Sequence, residues 1–242
     1  MIMKYFENKV CIVTGGTEGI GLAVCRQMAQ EGAVVYACAR HKKDLSEFNI
    51  QYHQLDVTDP DSCRKMVDDI VAERGRIDIA VLDAGITADA LTAKMTDEQF
   101  ERVTDVNIKG IFNVGRLVGP LMEKQGFGSI VTVGSIVGEQ GNIGQINYAA
   151  SKGAVMSMTK TWAREFSRKG AAVRVNCVAP GYIMTRMMDT VPADLLEKFA
   201  AKTMLKRLGR PEEIAEVICF LASDQASYVT GTVLSANGGM SL

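Results

Sequence analysis

The chain has 242 residues, 47% of them hydrophobic, which is enough apolar material for one large core. Its 27 Lys and Arg nearly balance 28 Asp and Glu, leaving a formal net charge of −1, so no global basic field draws in nucleic acid or an anionic membrane. No apolar run approaches the ~18 residues a membrane helix needs, and the first residues lack the pattern of a signal peptide, which reads as a cytoplasmic protein.

Short apolar runs alternate with longer helical patterns. Val10–Thr14 is apolar and bounded by glycines on its far side, which predicts a buried strand. Helical spacing over 21–30 follows, closed by Gly32. Val34–Ala39 is predicted as the second strand and 51–55 as the third, ending at Asp56. Asp59-Pro60-Asp61 opens a helix that runs to about Arg74. A fourth strand is predicted over 77–82. A long helix follows over 97–124, with an interruption near Gly110 or Pro120. The fifth strand is predicted over 129–133, a helix over 148–168, a strand over 173–178, a helix over 211–221 and a last strand over 232–235. Strands joined by helical crossovers imply a parallel sheet covered on both faces. The fold class is therefore α/β, a Rossmann-type doubly wound sheet in one domain spanning 1–242.

Six cysteines (Cys11, Cys25, Cys38, Cys63, Cys177, Cys219) form no CxxC pair and stand in apolar or helical contexts, so they read as buried reduced thiols. The two histidines, His41 and His53, have no metal-ligand spacing, and no metal site is expected.

After the first strand comes Thr14-Gly15-Gly16-Thr17-Glu18-Gly19-Ile20-Gly21, and a helix follows at once. Glycines allow a tight turn and a close approach to a ligand, and the helix N-terminus offers free N–H groups to a pyrophosphate. The GxxxGxG spacing is not GxGxxG, and the loop lacks the GK[ST] of a P-loop. Tyr148 and Lys152 lie four apart at a predicted helix start, which puts both on one face. A nearby ammonium stabilises a phenolate, so such a tyrosine can exchange a proton with a carbonyl or an alcohol. Ser135 ends the fifth strand, where a doubly wound sheet presents its crevice. Its hydroxyl could bond the same substrate oxygen, or it could cap a turn.

Taken together, Thr14–Gly21, Asp56-Val57, Ala84-Gly85, Asn107, Ser135, Tyr148-Ala-Ala-Ser-Lys152 and Pro180-Gly181 resemble the motifs of the short-chain dehydrogenase/reductase family over nearly the whole chain. Within it, 142–152 (NIGQINYAASK), 174–181 (RVNCVAPG) and 208–214 (LGRPEEI) most resemble the bacterial 3-oxoacyl-[acyl-carrier-protein] reductases. The resemblance implies a catalytic set of Asn107, Ser135, Tyr148 and Lys152. Tyr148 would be the acid in reduction, Ser135 would orient the carbonyl and Lys152 would hold the nicotinamide ribose. Asn107 would place a water that relays protons to Lys152. Cofactor contacts would come from Gly15, Thr17, Glu18, Gly19 and Ile20, from Asp56 and Val57 beside the adenine, and from Asp83, Ala84 and Gly85. Pro180, Gly181, Ile183 and Thr185 would line the nicotinamide end. A mobile substrate cover is implied over 184–206, where Met184, Met187, Met188 and Met204 suit an adaptable apolar wall. The implied activity is NADPH-dependent reduction of a 3-oxoacyl thioester in fatty acid synthesis, with acyl carrier protein as a partner and a homotetramer as the assembly. The alternatives are another carbonyl (acetoacetyl-CoA, a steroid or a sugar) and a non-catalytic cofactor-binding protein.

The cofactor choice is read at the end of the second strand. An acidic residue there favours NAD(H). Here Ala39 is followed by Arg40, His41, Lys42 and Lys43, and Arg40 suits a 2′-phosphate, so NADP(H) is expected over NAD(H). Glu18 opposes that choice with one acid. Four positions depart from the family pattern. Leu82-Asp83 replaces Asn-Asn, and Asp83 as a carboxylate only accepts hydrogen bonds. Asn237 replaces the Asp of an Asp-Gly-Gly ending. Ser129 stands where carrier-protein reductases often have arginine just before the fifth strand, which leaves Arg168, Lys169 and Arg174 to supply positive charge.

Overall fold

Strand β1 (Val10–Thr14) is buried along its whole length. Its alternate side chains serve two cores, because successive Cβ atoms point to opposite faces. Cys11 and Val13 pack on one side of the sheet, Val10 and Ile12 on the other. The computed structural model describes residues 4–185, 188 and 192–241, and every strand in it joins one parallel sheet. The further strands are β2 (Val34–Ala39), β3 (Ile50–Gln54), β4 (Ile79–Leu82), β5 (Phe127–Val133), β6 (Ala172–Pro180) and β7 (Val233–Ala236). Their order across the sheet is β3-β2-β1-β4-β5-β6-β7. The chain winds outward from β1 to β3, then returns to place β4 on the other side of β1. The strand order reverses between β1 and β4, and the carboxyl ends of those two strands frame the crevice of such a sheet.

Helices cover both faces. Helices α1 (Gly19–Gln30) and α8 (Pro211–Ala222) press Val24, Cys25, Met28, Ile214 and Ile218 onto one face. On the other face α2 (Pro60–Arg74), α4 (Ile111–Gln125) and α6 (Ile146–Glu165) contribute Met66, Ile70, Val114, Val118, Val155 and Trp162. The start of α2 follows its sequence signal: the Asp59 carboxylate accepts the Asp61 N–H at 2.9 Å, Pro60 sits in the first turn and Gly75 ends the helix at φ 76°.

The long helix expected over 97–124 is three pieces. Helix α3 (Asp97–Thr104) opens with a reciprocal Thr96–Gln99 cap, a π-helical segment covers Asp105–Gly110, and α4 follows. The interruption therefore falls near Gly110. Pro120 lies inside α4 without ending it; it and Arg116, whose carbonyl its ring deprives of a partner, are both exposed to water. Two short helices were not expected: α5 (Ile136–Gln140) and α7 (Ala193–Ala201). Strand β5 starts two residues before its expected beginning. Ser129 is its buried third residue, aligned with Ile79 on one side and Arg174 on the other, and does not precede the strand.

Candidate active site

The loop after β1 turns on Gly15 and Gly19, with φ 71° and 52°. Side chains would fill its cradle. A Cβ on Gly15 would meet the Ala84 backbone at 3.2 Å, and one on Gly21 would meet the Gly15 carbonyl oxygen at 2.5 Å. Thr14 locks this loop to the end of β4, since its hydroxyl accepts the N–H groups of both Asp83 and Ala84 at 3.1 Å. Backbone packed this closely, at the N-terminus of α1, fits a dinucleotide's phosphates.

A cleft of about 460 Å³ opens above this edge of the sheet. It gathers the expected loop residues Gly15, Thr17, Glu18, Gly19 and Ile20, together with Arg40, Asp56 and Val57. Asp83, Ala84 and Gly85 line it from β4, and Pro180, Gly181, Ile183 and Thr185 from the end of β6. Ser135, Tyr148 and Lys152 complete the wall. Asn107 stands behind that wall, fully buried.

Ser135 serves as the cap of α5, its hydroxyl accepting the Val137 N–H at 3.1 Å. The cap and the cleft position are thus both real. Helix α5 lies directly on α6, where a Cβ on Gly138 would come within 2.8 Å of the Lys152 and Gly153 backbone. This close approach sets Ser135 beside the turn that carries Tyr148 and Lys152. Tyr148 is half-buried against Ile136, Val137 and Met240. Lys152 is buried; its ammonium donates to the Val133 carbonyl at 2.8 Å and lies 5.6 Å from the centre of the Tyr148 ring.

Asn107 is held in the π-helical segment. Its Oδ1 accepts the Ile86 N–H at 2.9 Å, and its Nδ2 donates to the Ile86 carbonyl and to Ser151 Oγ, each at 3.0 Å. A Cβ on Gly85 would stand 3.4 Å from both Asn107 Oδ1 and Lys152 Nζ. The two polar groups face each other across that glycine.

At the far end of the cleft the charges are paired. Lys43 bonds the Glu18 carboxylate. Burial pushes the Asp56 carboxyl up, but the Thr58 hydroxyl and N–H and the nearby Arg40 guanidinium outweigh it and hold the group below its ordinary range. Asp83 moves the other way. Burial raises its carboxyl to about 6, against the Lys152 ammonium and the Gly21 N–H.

Gln145 and Tyr182 also line the cleft and were missed in the sequence. Asn142 donates to Gln145 Oε1 at 2.8 Å and to the Tyr182 hydroxyl at 3.1 Å, and Gln145 Nε2 donates to Asp89 at 2.9 Å. Their proximity to Tyr148 and to Pro180-Gly181 was a usable signal, but nothing in the sequence links them to each other. Tyr182 stacks on Phe199 of α7, with ring centres 4.2 Å apart. Of the four methionines in the expected cover, Met188 lines the cleft, Met184 and Met204 are exposed, and Met187 lies outside the described residues.

Arg174 is not a surface cation for a partner. Its guanidinium donates to the carbonyls of Leu221, Ala222 and Ser223 at 2.6–3.1 Å and so closes the end of α8. All six cysteines are buried and free, and burial pushes the thiols of Cys38 and Cys63 up to about 12. Among the described residues no His, Cys, Asp and Glu side chains gather as metal ligands, and no helix is long and apolar enough to cross a membrane.

Residues 15–241 match the family described as Enoyl-(Acyl carrier protein) reductase. The chain belongs to the short-chain dehydrogenase/reductase family. It is 47% identical to the 3-oxoacyl-[acyl-carrier-protein] reductase FabG of Thermotoga maritima, over 97% of this chain and 98% of that one. It is 40% identical to the protein of the same name from Salmonella typhimurium, with the same coverage, and 39% identical to Nodulation protein G of Azospirillum brasilense, again over 97% and 98%. The crystal structure of gox2181 superposes with a TM-score of 0.93 at 33% identity, over 98% of both chains. Like its family, this protein is an oxidoreductase acting on CH–OH and carbonyl groups with a nicotinamide cofactor.

Proposed function

We propose that the protein reduces a 3-oxoacyl thioester, carried on acyl carrier protein, to the 3-hydroxyacyl thioester with NADPH. The observation that carries this reading is the meeting of Ser135, Tyr148 and Lys152 on the wall of a cleft whose floor is a glycine cradle. The substrate follows from relatives up to 47% identical that bear the reductase name.

The bound nicotinamide supplies a hydride to the carbonyl carbon. The protein's residues handle the proton and the developing charge. Tyr148 gives its hydroxyl proton to the carbonyl oxygen as that oxygen becomes an alcohol. Ser135 donates a hydrogen bond to the same oxygen, with the Val137 N–H holding the hydroxyl in place. Lys152 stabilises the tyrosinate left behind and holds the ribose. Both Nδ2 hydrogens of Asn107 are committed, so the remaining acceptor capacity of Oδ1, which like Lys152 Nζ lies beside Gly85, is where it would hold a relaying water.

NADPH is preferred over NADH in this reading because Ala39 leaves no acid at the end of β2 and Lys43 neutralises Glu18, leaving Arg40 for a 2′-phosphate. Met188, Ile183 and the Tyr182–Phe199 stack form the base of a substrate cover over 184–206, within one catalytic domain spanning 1–242. Six buried thiols suit a reducing cytoplasm. A second reading, reduction of a coenzyme A thioester, is favoured by Ser129 and Arg174, neither of which presents charge to a carrier protein. The test is turnover of acetoacetyl thioesters of carrier protein and of coenzyme A, with each reduced nicotinamide. Faster consumption of NADPH with the carrier-protein thioester supports the first reading. No turnover of either thioester would refute both.

A further inference from the structure

Asp83 stands at the end of β4, with its main-chain N–H bound by Thr14. Its carboxylate lies against the first turn of α1, beside Gly21. Oδ2 lies 3.0 Å from where a Cβ on Gly21 would be. A carboxylate of the protein itself therefore stands at the helix end that can receive a phosphate. The Lys152 ammonium faces Asp83 from α6 and the buried Cys25 thiol from α1, while β1 presents the Thr14 hydroxyl and the loop its backbone. An asparagine here would fill the same place without carrying charge.

We infer that Asp83 makes dinucleotide binding proton-linked: the anionic cofactor binds when Asp83 is neutral, and ionised Asp83 opposes it. This rests on the dinucleotide reading of the cleft. In the free protein burial has already raised the carboxyl to about 6, so near neutral pH the carboxylate predominates. A pyrophosphate at the same helix end raises it further, and binding draws in a proton. Affinity then falls as pH rises, by up to about tenfold per pH unit, until the proton is no longer held in the complex.

Titration calorimetry of the full chain with NADPH, in buffers of different ionisation enthalpy, measures this uptake directly. The wild type should take up a fraction of a proton near neutral pH. Asp83→Asn should take up less, bind about tenfold more tightly near pH 8 and bind equally near pH 5. The 2′-phosphate titrates in both proteins and cancels in the comparison. A wild-type titration with NADH, which lacks that phosphate, gives a second measurement independent of the variant, and uptake of a proton there supports the inference. Equal uptake by wild type and variant, weaker binding by a folded Asp83→Asn, or no uptake with NADH overturns it. Failure of either dinucleotide to bind overturns the cofactor reading itself, and this inference with it.

Discussion

Tyr148 and Lys152 show how far a single residue's role can be read before its surroundings are known. Their spacing placed them on one face of a helix, and the structure puts them on the cleft wall. Tyr148→Phe keeps the ring packed on Val137 and Met240 and removes only the donor. Turnover should fall on the order of 100-fold or more, with cofactor affinity retained, as single-turnover kinetics and a binding titration would show. Arg40→Ala should raise KM for NADPH far more than for NADH; an equal effect on both would mean that Arg40 does not meet the 2′-phosphate. Asp83 carries a stability consequence as well. Its carboxyl is raised in the folded protein to about 6, so between about pH 4 and 6 the folded state holds a proton the unfolded chain has released. Stability contributed by the neutral group is lost as pH rises through that window. Asp83→Asn should therefore stabilise on the order of 1–3 kcal/mol at pH 8 and by almost nothing at pH 4, measured by urea unfolding at the two pH values. The departure at Asp83 was visible in the sequence. Its neighbour Gly21 was not, because the two lie on different strand–loop units brought together only by the pairing of β1 with β4.

At the scale of elements, the break in the long helix is the most informative case. Propensity ranks Pro120 as the stronger breaker, yet the helix passes through it. The break falls where Gly110 must admit Val57, whose Cγ2 would stand 2.6 Å from a Cβ there. The widened turn also brings Asn107 to Ile86 and Ser151. Further along, α4 meets α6 through glycines that lie under aromatic rings. A Cβ on Gly115 would fall 2.2 Å from the Trp162 ring, and one on Gly119 would fall 2.1 Å from that of Phe166. Gly119→Ala should destabilise by at least about 1–3 kcal/mol in denaturant unfolding, because a packed interior must shift to admit the methyl group. A neutral result would show that α4 can slide away from α6 freely.

At the scale of the whole molecule, the apolar side chains of the helices over 97–124 and 148–168 are mostly used within the chain. Ile111, Val114, Val118, Val155, Met156 and Trp162 are buried, and Phe112 remains exposed. Exposed apolar side chains elsewhere include Phe220 of α8, Tyr228 in the segment after it and Leu234 of the edge strand β7. The expected homotetramer would bury such side chains against further copies of the chain about two-fold axes. Light scattering at micromolar concentration should give four times the chain mass, and a monomer would refute the assembly.

Local chemistry was enough to determine the alternation of strands and helices, the glycine turn, the Asp59 cap of α2 and the Tyr148–Lys152 face. Each depends on residues within a few positions of one another, where spacing and backbone preference act directly. The sequence also marked Ser135 without deciding between cap and cleft; the tertiary structure made it both, by laying α5 on α6. Contacts across the sheet decided the rest. Arg174 was legible as a cation but not as the closure of α8, about fifty residues away. Ser129 became buried because β5 pairs on both sides from Ile79 to Arg174. A charge or a glycine takes its role from what the fold places opposite it, and that neighbour is set by strand order, which no local pattern encodes.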